Sequence, residues 1–385
     1  MNFPKLRFKE FNDEWIETKI QNVATVVGGG TPSTDEPKYW GNEINWFTPS
    51  EIGKTKYVTI SNRKISQNGL KNSSAKLLPN GTILLSSRAT VGEASILLNE
   101  ASTNQGFQSL IVNENNYNEF IYYLKYKYKR EMLIKSFGST FLEISKSNVE
   151  NIKIKIPSKE EQFKIANFLS LLDKKIELQS KKIEDLKLFK LYMENQFIFK
   201  DDASYIEYKL RDILIEGNKT PVVDTSKYQK LTIKLNLKGL EFNESQKEMS
   251  DKRPFYVRDE NELIIGKQNY FNGSIAIVDK KYAGGICSNA IMSFKAKDGF
   301  DIKYIYLYLS QKSYMKQREF LANGTGQKEL SEKEFLNFSI RIPSDNKVKK
   351  IIKNVNCISK KILLEKNKLN KLIELKRGLM QNMFV

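Results

Sequence analysis

The stretch Ile152-Lys153-Ile154-Lys155-Ile156-Pro157-Ser158 returns, 186 residues later, as Phe338-Ser339-Ile340-Arg341-Ile342-Pro343-Ser344. Each is an alternating apolar run closed by Pro-Ser, the pattern of a strand that ends abruptly. At the same offset Gly138 falls on Gly324, Glu143 on Glu329, Ser145 on Ser331 and Asn151 on Asn337. Further upstream the correspondence loosens but persists. Thr82-Ile83-Leu84-Leu85 with Gly92 resembles Glu262-Leu263-Ile264-Ile265 with Gly273, and Thr103-Asn104 resembles Ser288-Asn289. Copies of about 190 residues are too long for a solenoid repeat and fit a duplicated domain.

After each Pro-Ser the period changes from strand to heptad. Copy one gives Ile165, Leu169, Leu172, Ile176, Gln179, Ile183 and Leu186; copy two gives Ile351, Val355, Ile358, Ile362, Glu365, Leu369 and Leu372. Two apolar residues per seven form the narrow seam of a coiled coil rather than the broad face of a globular helix. Ser158-Lys159-Glu160-Glu161 reads as a capping box, whereas Ser344-Asp345-Asn346-Lys347 lacks the glutamate and should fray more. Taken from Lys159 to Phe197, the first helix would run about 57 Å. Both seams break at one polar position, Gln179 and Glu365. If the helices pair antiparallel about a pseudo-two-fold axis, these positions meet and could fix the register; alternatively both side chains reach solvent.

Composition narrows the function. Lysine and arginine total 63 against 45 acids, a net charge of +18, and this uncompensated excess favours a polyanionic partner such as nucleic acid. There is no histidine, which excludes serine-histidine triads, HExxH metalloproteases and histidine nucleases. The two cysteines, Cys287 and Cys357, supply neither a disulfide framework nor a thiolate cage. No apolar run of roughly 18 residues predicts a membrane span and the N-terminus is too charged for a signal peptide, so the cytoplasm is the expected compartment. Phosphate-binding Gly-x-x-x-x-Gly-Lys-Ser/Thr and methyltransferase-like Asn/Asp-Pro-Pro-Tyr/Phe strings do not occur. Gly28-Gly29-Gly30 lacks the spaced third glycine of a dinucleotide fingerprint and reads as a flexible turn.

Thr82 to Leu98 and Glu262 to Val278 read as strands, Tyr117 to Lys135 and Asp301 to Leu321 as amphipathic helices. The helix tyrosines Tyr122, Tyr123, Tyr126, Tyr306 and Tyr308 are expected in the core rather than against bases.

Trp15-Ile16, Gly29-Gly30-Thr31-Pro32-Ser33, Tyr39-Trp40-Gly41 and Ile44-Asn45-Trp46 resemble the opening of a target recognition domain of Type I restriction-modification specificity subunits. Gly81-Thr82-Ile83-Leu84-Leu85 with Gly92 fits the same domain, and Ile156-Pro157-Ser158 followed by Glu161-Gln162, Ile165, Leu169, Leu172-Asp173 and Ile176 resembles that family's junction with its spacer helix. Copy two departs from the pattern, with Gly217-Asn218-Lys219-Thr220-Pro221 in place of the glycine-rich string.

The resemblance implies an α+β fold of two mixed α/β target recognition domains, joined and spaced by two long antiparallel coiled-coil helices with pseudo-two-fold symmetry. The bounds would be 1–157 and 201–343 for the recognition domains, 158–200 and 344–385 for the helices. It implies a non-catalytic reader of a bipartite site in double-stranded DNA, working with two methyltransferase and two endonuclease/translocase subunits. S-adenosylmethionine, ATP and magnesium would belong to those partners. A fused enzyme and a coiled-coil scaffold without a DNA role are the competing classes. The bounds leave no segment for an attached catalytic part, and the charge weighs against the scaffold.

Readout needs donors and acceptors on loops, since each bidentate base contact discriminates by about 1–3 kcal/mol. The candidates in copy one are Thr31, Ser33, Thr34, Ser86, Ser87, Arg88, Asn104, Gln105, and Ser139 with Thr140 after Gly138. In copy two they are Lys267, Gln268, Asn269, Tyr270, Asn289, Thr325, Gln327 and Lys328. Arg88 and Lys267-Gln268-Asn269 are the foremost; for any one of these residues a turn or capping role accounts equally well. The helices differ in charge. Residues 158–200 carry nine basic and seven acidic residues, and 344–385 carry eleven and three. The distal helix could follow phosphates, meet an acidic partner, or simply face solvent.

Overall fold

The computed structural model describes residues 3–136, 142–198, 204–243, 253–321 and 329–385. They form two compact units, one of Met1–Lys181 with Asn367–Val385, the other of Lys182–Lys366.

The first unit runs β1 (Ile16–Lys19), α1 (Ile20–Val23), β2 (Ala24–Gly28), β3 (Trp40–Phe47), β4 (Tyr57–Val58), β5 (Arg63–Ile65), α2 (Gln67–Lys71), β6 (Ile83–Leu85), β7 (Ala94–Leu97), β8 (Ala101–Thr103) and β9 (Gln108–Val112). It continues with α3 (Asn118–Ile134), α4 (Lys146–Glu150), β10 (Lys153–Ile156) and the 40-residue helix α5 (Lys159–Ile198). The second unit adds β11 (Ile206–Lys209), α6 (Leu210–Ile213), β12 (Leu214–Glu216), β13 (Leu231–Ile233), β14 (Leu240–Phe242), β15 (Phe255–Val257), β16 (Leu263–Gly266), β17 (Ile275–Ile277), β18 (Ile286–Ser288) and β19 (Ile291–Ala296). Then come α7 (Ile302–Leu309), α8 (Lys312–Arg318), α9 (Glu332–Leu336), β20 (Ser339–Ile342) and the 39-residue helix α10 (Asp345–Met383).

The duplication is visible in the hydrogen bonding. β1 pairs antiparallel with β10, Ile16 opposite Ile156, as β11 pairs with β20, Ile206 opposite Ile342. The sheet order β2-β9-β6-β7 recurs as β12-β19-β16-β17, and in the first copy β4 adds in parallel to β7. Ser145 caps α4 and Ser331 caps α9, each accepting from the backbone N–H three residues on.

Strands β6 and β16 are apolar on both faces because both faces are covered. Ile83 and Leu85 face a core holding Trp15, Phe120, Tyr123 and Tyr128, while Leu84 faces a second one with Phe47 and Phe107. Leu263 and Ile265 join Phe294, Tyr304 and Phe335, while Ile264 turns toward Leu231 and Cys287.

The heptad seams are buried as the spacing predicts. Ile165, Leu169, Leu172, Ile183, Ile351, Val355 and Ile362 are inaccessible, and the other apolar seam residues are half-buried. Within the first unit the helices run antiparallel. Ile165 and Leu169 of α5 share a core with Met380 and Met383 of α10, and Asp173 pairs with Lys376. In the second unit Lys182 of α5 donates to Glu365 of α10 at 2.9 Å, and Glu365 is buried. Gln179 is half-buried in the first unit. Among the described residues no helix is long and apolar enough to cross a membrane.

Several expectations are corrected. Asp301 to Leu321 is not one helix. Ser310 Oγ and Gln311 Nε2 both donate to Leu307 O, at 3.2 and 3.1 Å, and end α7 before α8 begins. Tyr126 is 44% exposed, unlike Tyr122, Tyr123 and Tyr308, because it lies on the outer side of α3. Only the serine half of the Ser158 box is a cap: Glu161 N–H donates to Ser158 Oγ at 3.4 Å, but both Glu161 oxygens are taken by Arg7, at 2.8 and 2.7 Å. α10 nonetheless begins in order, Lys347 and Val348 N–H donating to Ser344 O.

Candidate nucleic-acid interface

In the first unit, β2 leaves its sheet at Gly28 and the chain continues as Gly29-Gly30-Thr31. This is not the flexible turn expected. Gly30 N–H donates to Thr103 O at 2.9 Å. A Cβ on Gly29 would lie 2.0 Å from Asn104 O, and one on Gly30 2.2 Å from Ser74 Oγ, so the backbone is wedged where only glycine fits. Two indoles fix the rest of the loop: Trp46 Nε1 donates to Gly30 O at 2.9 Å and Trp40 Nε1 to Ser33 O at 3.0 Å. Thr31 Oγ1 donates to Gln105 Oε1 at 2.5 Å, and Ser33 Oγ accepts from Asp35 N–H at 3.3 Å. The clamped loop leaves Thr31, Ser33 and Thr34 exposed.

Beside it stands the β6–β7 hairpin. Ser87 N–H donates to Gly106 O at 2.8 Å and Ser87 O accepts from Ile144 N–H at 3.0 Å. Those bonds gather the hairpin, the segment after β8 and the segment before α4 at one end of the unit. Arg88 meets Glu143 there at 2.8 Å, both side chains a little under half exposed. Asn104 Oδ1 turns inward to Gly106 N–H at 2.9 Å, as in an Asx turn, and Gln105 is exposed. Ser86 and Ser87 are corrected: both are fully buried, and Ser86 Oγ donates to Arg88 O at 2.8 Å. They shape the hairpin turn from behind and do not face the exterior.

The second unit repeats this frame with different side chains. Lys267 N–H donates to Ala290 O at 3.0 Å, and Lys267 O accepts from Leu330 N–H at 2.9 Å, so Lys267 occupies the place of Ser87. The first bond sets Ala290 opposite Gly106, one residue off the Asn104–Asn289 correspondence drawn from sequence. Lys267, Gln268 and Asn269 border a cleft of about 300 Å³ with Lys230, Arg253 and Ser288. Gln268 and Asn289 are exposed, and Asn269 Oδ1 accepts from Asn272 Nδ2 at 3.2 Å. Tyr270 is a second correction. It is fully buried, its hydroxyl donates to Leu309 O at 2.8 Å and its ring packs on Phe271 and Phe335; it belongs to the core. Ser139, Thr140, Thr325, Gln327 and Lys328 lie outside the described residues.

Lys219 and Glu332 join this end of the unit without having been singled out. Lys219 lies in the stretch that replaces the glycine-rich loop and bonds Glu332 at 2.7 Å and Glu216 at 2.8 Å. Those bonds, opposed by partial burial, raise its ammonium above the ordinary lysine value and keep it charged. Lys267 stands 3.7 Å from the same Glu332. Lys219 was legible as a cation in a substituted loop; nothing local marks Glu332 or Glu143 as a partner.

A family profile described as "Type I restriction modification DNA specificity domain" matches the chain twice, at residues 12–188 and 204–375. The MjaIX specificity subunit of Methanocaldococcus jannaschii is 41% identical over 190 residues, covering 48% of this chain and 44% of that protein. The EcoR124I/EcoR124II specificity subunit of Escherichia coli is 28% identical over 175 residues, covering 44% and 43%. The matched stretches thus span less than half the length of these curated relatives. Among solved structures, a Type I restriction-modification S subunit from M. genitalium superposes with a TM-score of 0.61 at 17% identity, over 100% of this chain and 99% of that one, a likeness of fold. With both copies of the profile covering most of its length, the chain belongs to the Type I restriction-modification DNA specificity family.

Proposed function

We propose that this chain reads a bipartite site in double-stranded DNA for a Type I restriction-modification complex, one recognition unit per half-site. The observation that carries the reading is the repeated frame with unlike side chains. The backbone bonds of Ser87 in one unit and Lys267 in the other are the same, and they bring Arg88 and Gln268 to matching places, so one scaffold offers unlike donors. The net charge of +18 supports a polyphosphate partner. In this reading two methyltransferase and two endonuclease/translocase subunits supply the chemistry with S-adenosylmethionine, ATP and magnesium, and this chain supplies recognition without catalysis.

Expressing the chain with its methyltransferase and mapping the modified sequences tests the proposal. A two-part motif is the expected outcome; modification without sequence preference would sink it. Arg88→Ala should relax one half of the motif, with a loss of about 1–3 kcal/mol against the preferred base there, and leave the other half intact. Unchanged preference at both halves would remove Arg88 from the readout set.

The 40- and 39-residue helices are further proposed to set the number of unread base pairs between the halves. One added turn lengthens a helix by about 5.4 Å, so inserting a turn in α5 should change that number by one or so. Mapped motifs that keep their spacing after insertion would rule the helices out as the measure.

A further inference from the structure

We propose that Arg63 contacts the first half-site, its guanidinium held flat on Trp40 so that its edge donates to a pair of oxygen or nitrogen acceptors on DNA. The proposal rests on the DNA-reading function above and adds a residue that the loop candidates do not contain.

Arg63 opens β5, opposite Trp46 of β3. The strand pair shifts register between Trp40 and Ile44, which brings two indoles to one place; they meet edge to face at 5.2 Å. The Arg63 guanidinium carbon lies 3.6 Å from the Trp40 ring centroid and 5.5 Å from that of Trp46. These are the same rings whose N–H groups hold Ser33 O and Gly30 O, so the cation and the exposed Thr31–Thr34 loop share one support.

Arg318 also stacks, 3.5 Å from the Tyr314 ring centroid, but its Nη1 donates to Tyr314 O at 3.5 Å, and three other arginines are paired with carboxylates. Arg7 is bound by Glu161, Arg88 by Glu143 and Arg258 by Glu262. Arg63 is exposed, and among the described residues no carboxylate or carbonyl accepts from it. Stacking uses the face of the guanidinium and leaves its five N–H donors free at the edge. It also removes much of the side-chain freedom that would otherwise be lost on binding. A planar, charged, pre-oriented donor fork matches two acceptor sets on DNA, the O6/N7 edge of guanine and a phosphate.

The test uses the chain assembled with its methyltransferase, and duplexes bearing its mapped site or a version with the first half-site scrambled. Arg63→Ala, Arg63→Gln and Arg63→Lys are compared by titration at several salt concentrations. Arg63→Ala and Arg63→Gln should weaken binding to the mapped duplex about five- to a hundred-fold. If the fork reads guanine, Arg63→Lys rescues little, preference relaxes at one base pair, and scrambling the first half-site erases the difference between variant and wild type. If it holds a phosphate, Arg63→Lys rescues most of the loss, the difference persists on the scrambled duplex, and Arg63→Ala lowers the salt slope by about one. A purely structural stack would shift melting without altering salt slope or base preference, and that result, or binding within two-fold of wild type, overturns the proposal. Wild-type complex that prefers no sequence would instead overturn the functional reading itself.

Discussion

Replacing Arg7 by methionine is expected to destabilise the first unit by about 3 kcal/mol, the cost of stripping its partner from a buried charge. Glu161 is 1% exposed, takes Arg7 Nε at 2.8 Å and Nη2 at 2.7 Å, and lies 3.4 Å from Trp15 Nε1. The bonds to the carboxylate raise the Arg7 guanidinium further above its usual value, against the effect of burial. Arg7→Met leaves a desolvated carboxylate beside a tryptophan. It also loosens a strap in which Leu6 N–H donates to Asn382 O at 2.9 Å and Phe8 meets Phe168 edge to face at 5.9 Å. Combining Arg7→Met with Glu161→Gln should recover part of the loss, because the amide needs no counter-charge. Urea unfolding of the three variants measures this. Equal midpoints for wild type and Arg7→Met would show that the pair contributes nothing.

Gly29→Ala is expected to be comparably severe and far more local. The added methyl would stand 2.0 Å from Asn104 O and 2.5 Å from Thr103 O. Those carbonyls cannot retreat easily, since Thr103 O accepts from Gly30 N–H and Asn104 N–H donates to Phe47 O at 3.1 Å. Overpacking of this kind costs about 1–3 kcal/mol and displaces backbone. The displaced backbone carries Thr31 and the Thr31–Gln105 bond, so discrimination at one half-site should fall more than about tenfold while the other half-site is kept. Gly28→Ala provides the control, because a Cβ there meets only Gln108 Oε1 at 3.8 Å. Motif mapping for both variants decides the matter: identical behaviour would mean that the wedge at Gly29 does not position the loop.

What could be read from sequence was what is written locally. The duplicated junction and both heptad seams rest on spacing within a few turns of chain, and the observed strands and long helices follow them. Tyr270 shows where that reading stops. Among Lys267, Gln268 and Asn269 it looks like a fourth polar loop residue, but its hydroxyl finds Leu309 O, 39 residues away, and the ring becomes core. Ser86 and Ser87 fail in the same way, buried by contacts with residues 88, 106 and 144. Gly29 and Gly30 looked like punctuation because their neighbours, Thr103, Asn104 and Ser74, come from other strands and loops. Arg63 was invisible for a further reason. Its stack depends on a register shift in β3, and no sequence period encodes a bulge.

The first core draws Trp15 and Phe120 together with Met380, Met383 and Phe384, so its residues are made at widely separated times. A ribosome adding about 5–20 residues per second completes residue 181 many seconds before it reaches residue 380. Throughout that interval the first core lacks Met380, Met383 and Phe384, the residues that close it in the finished fold. The second unit, continuous from Lys182 to Lys366, can finish in one pass. Of the two units, the one whose synthesis starts first is therefore the last to be completed.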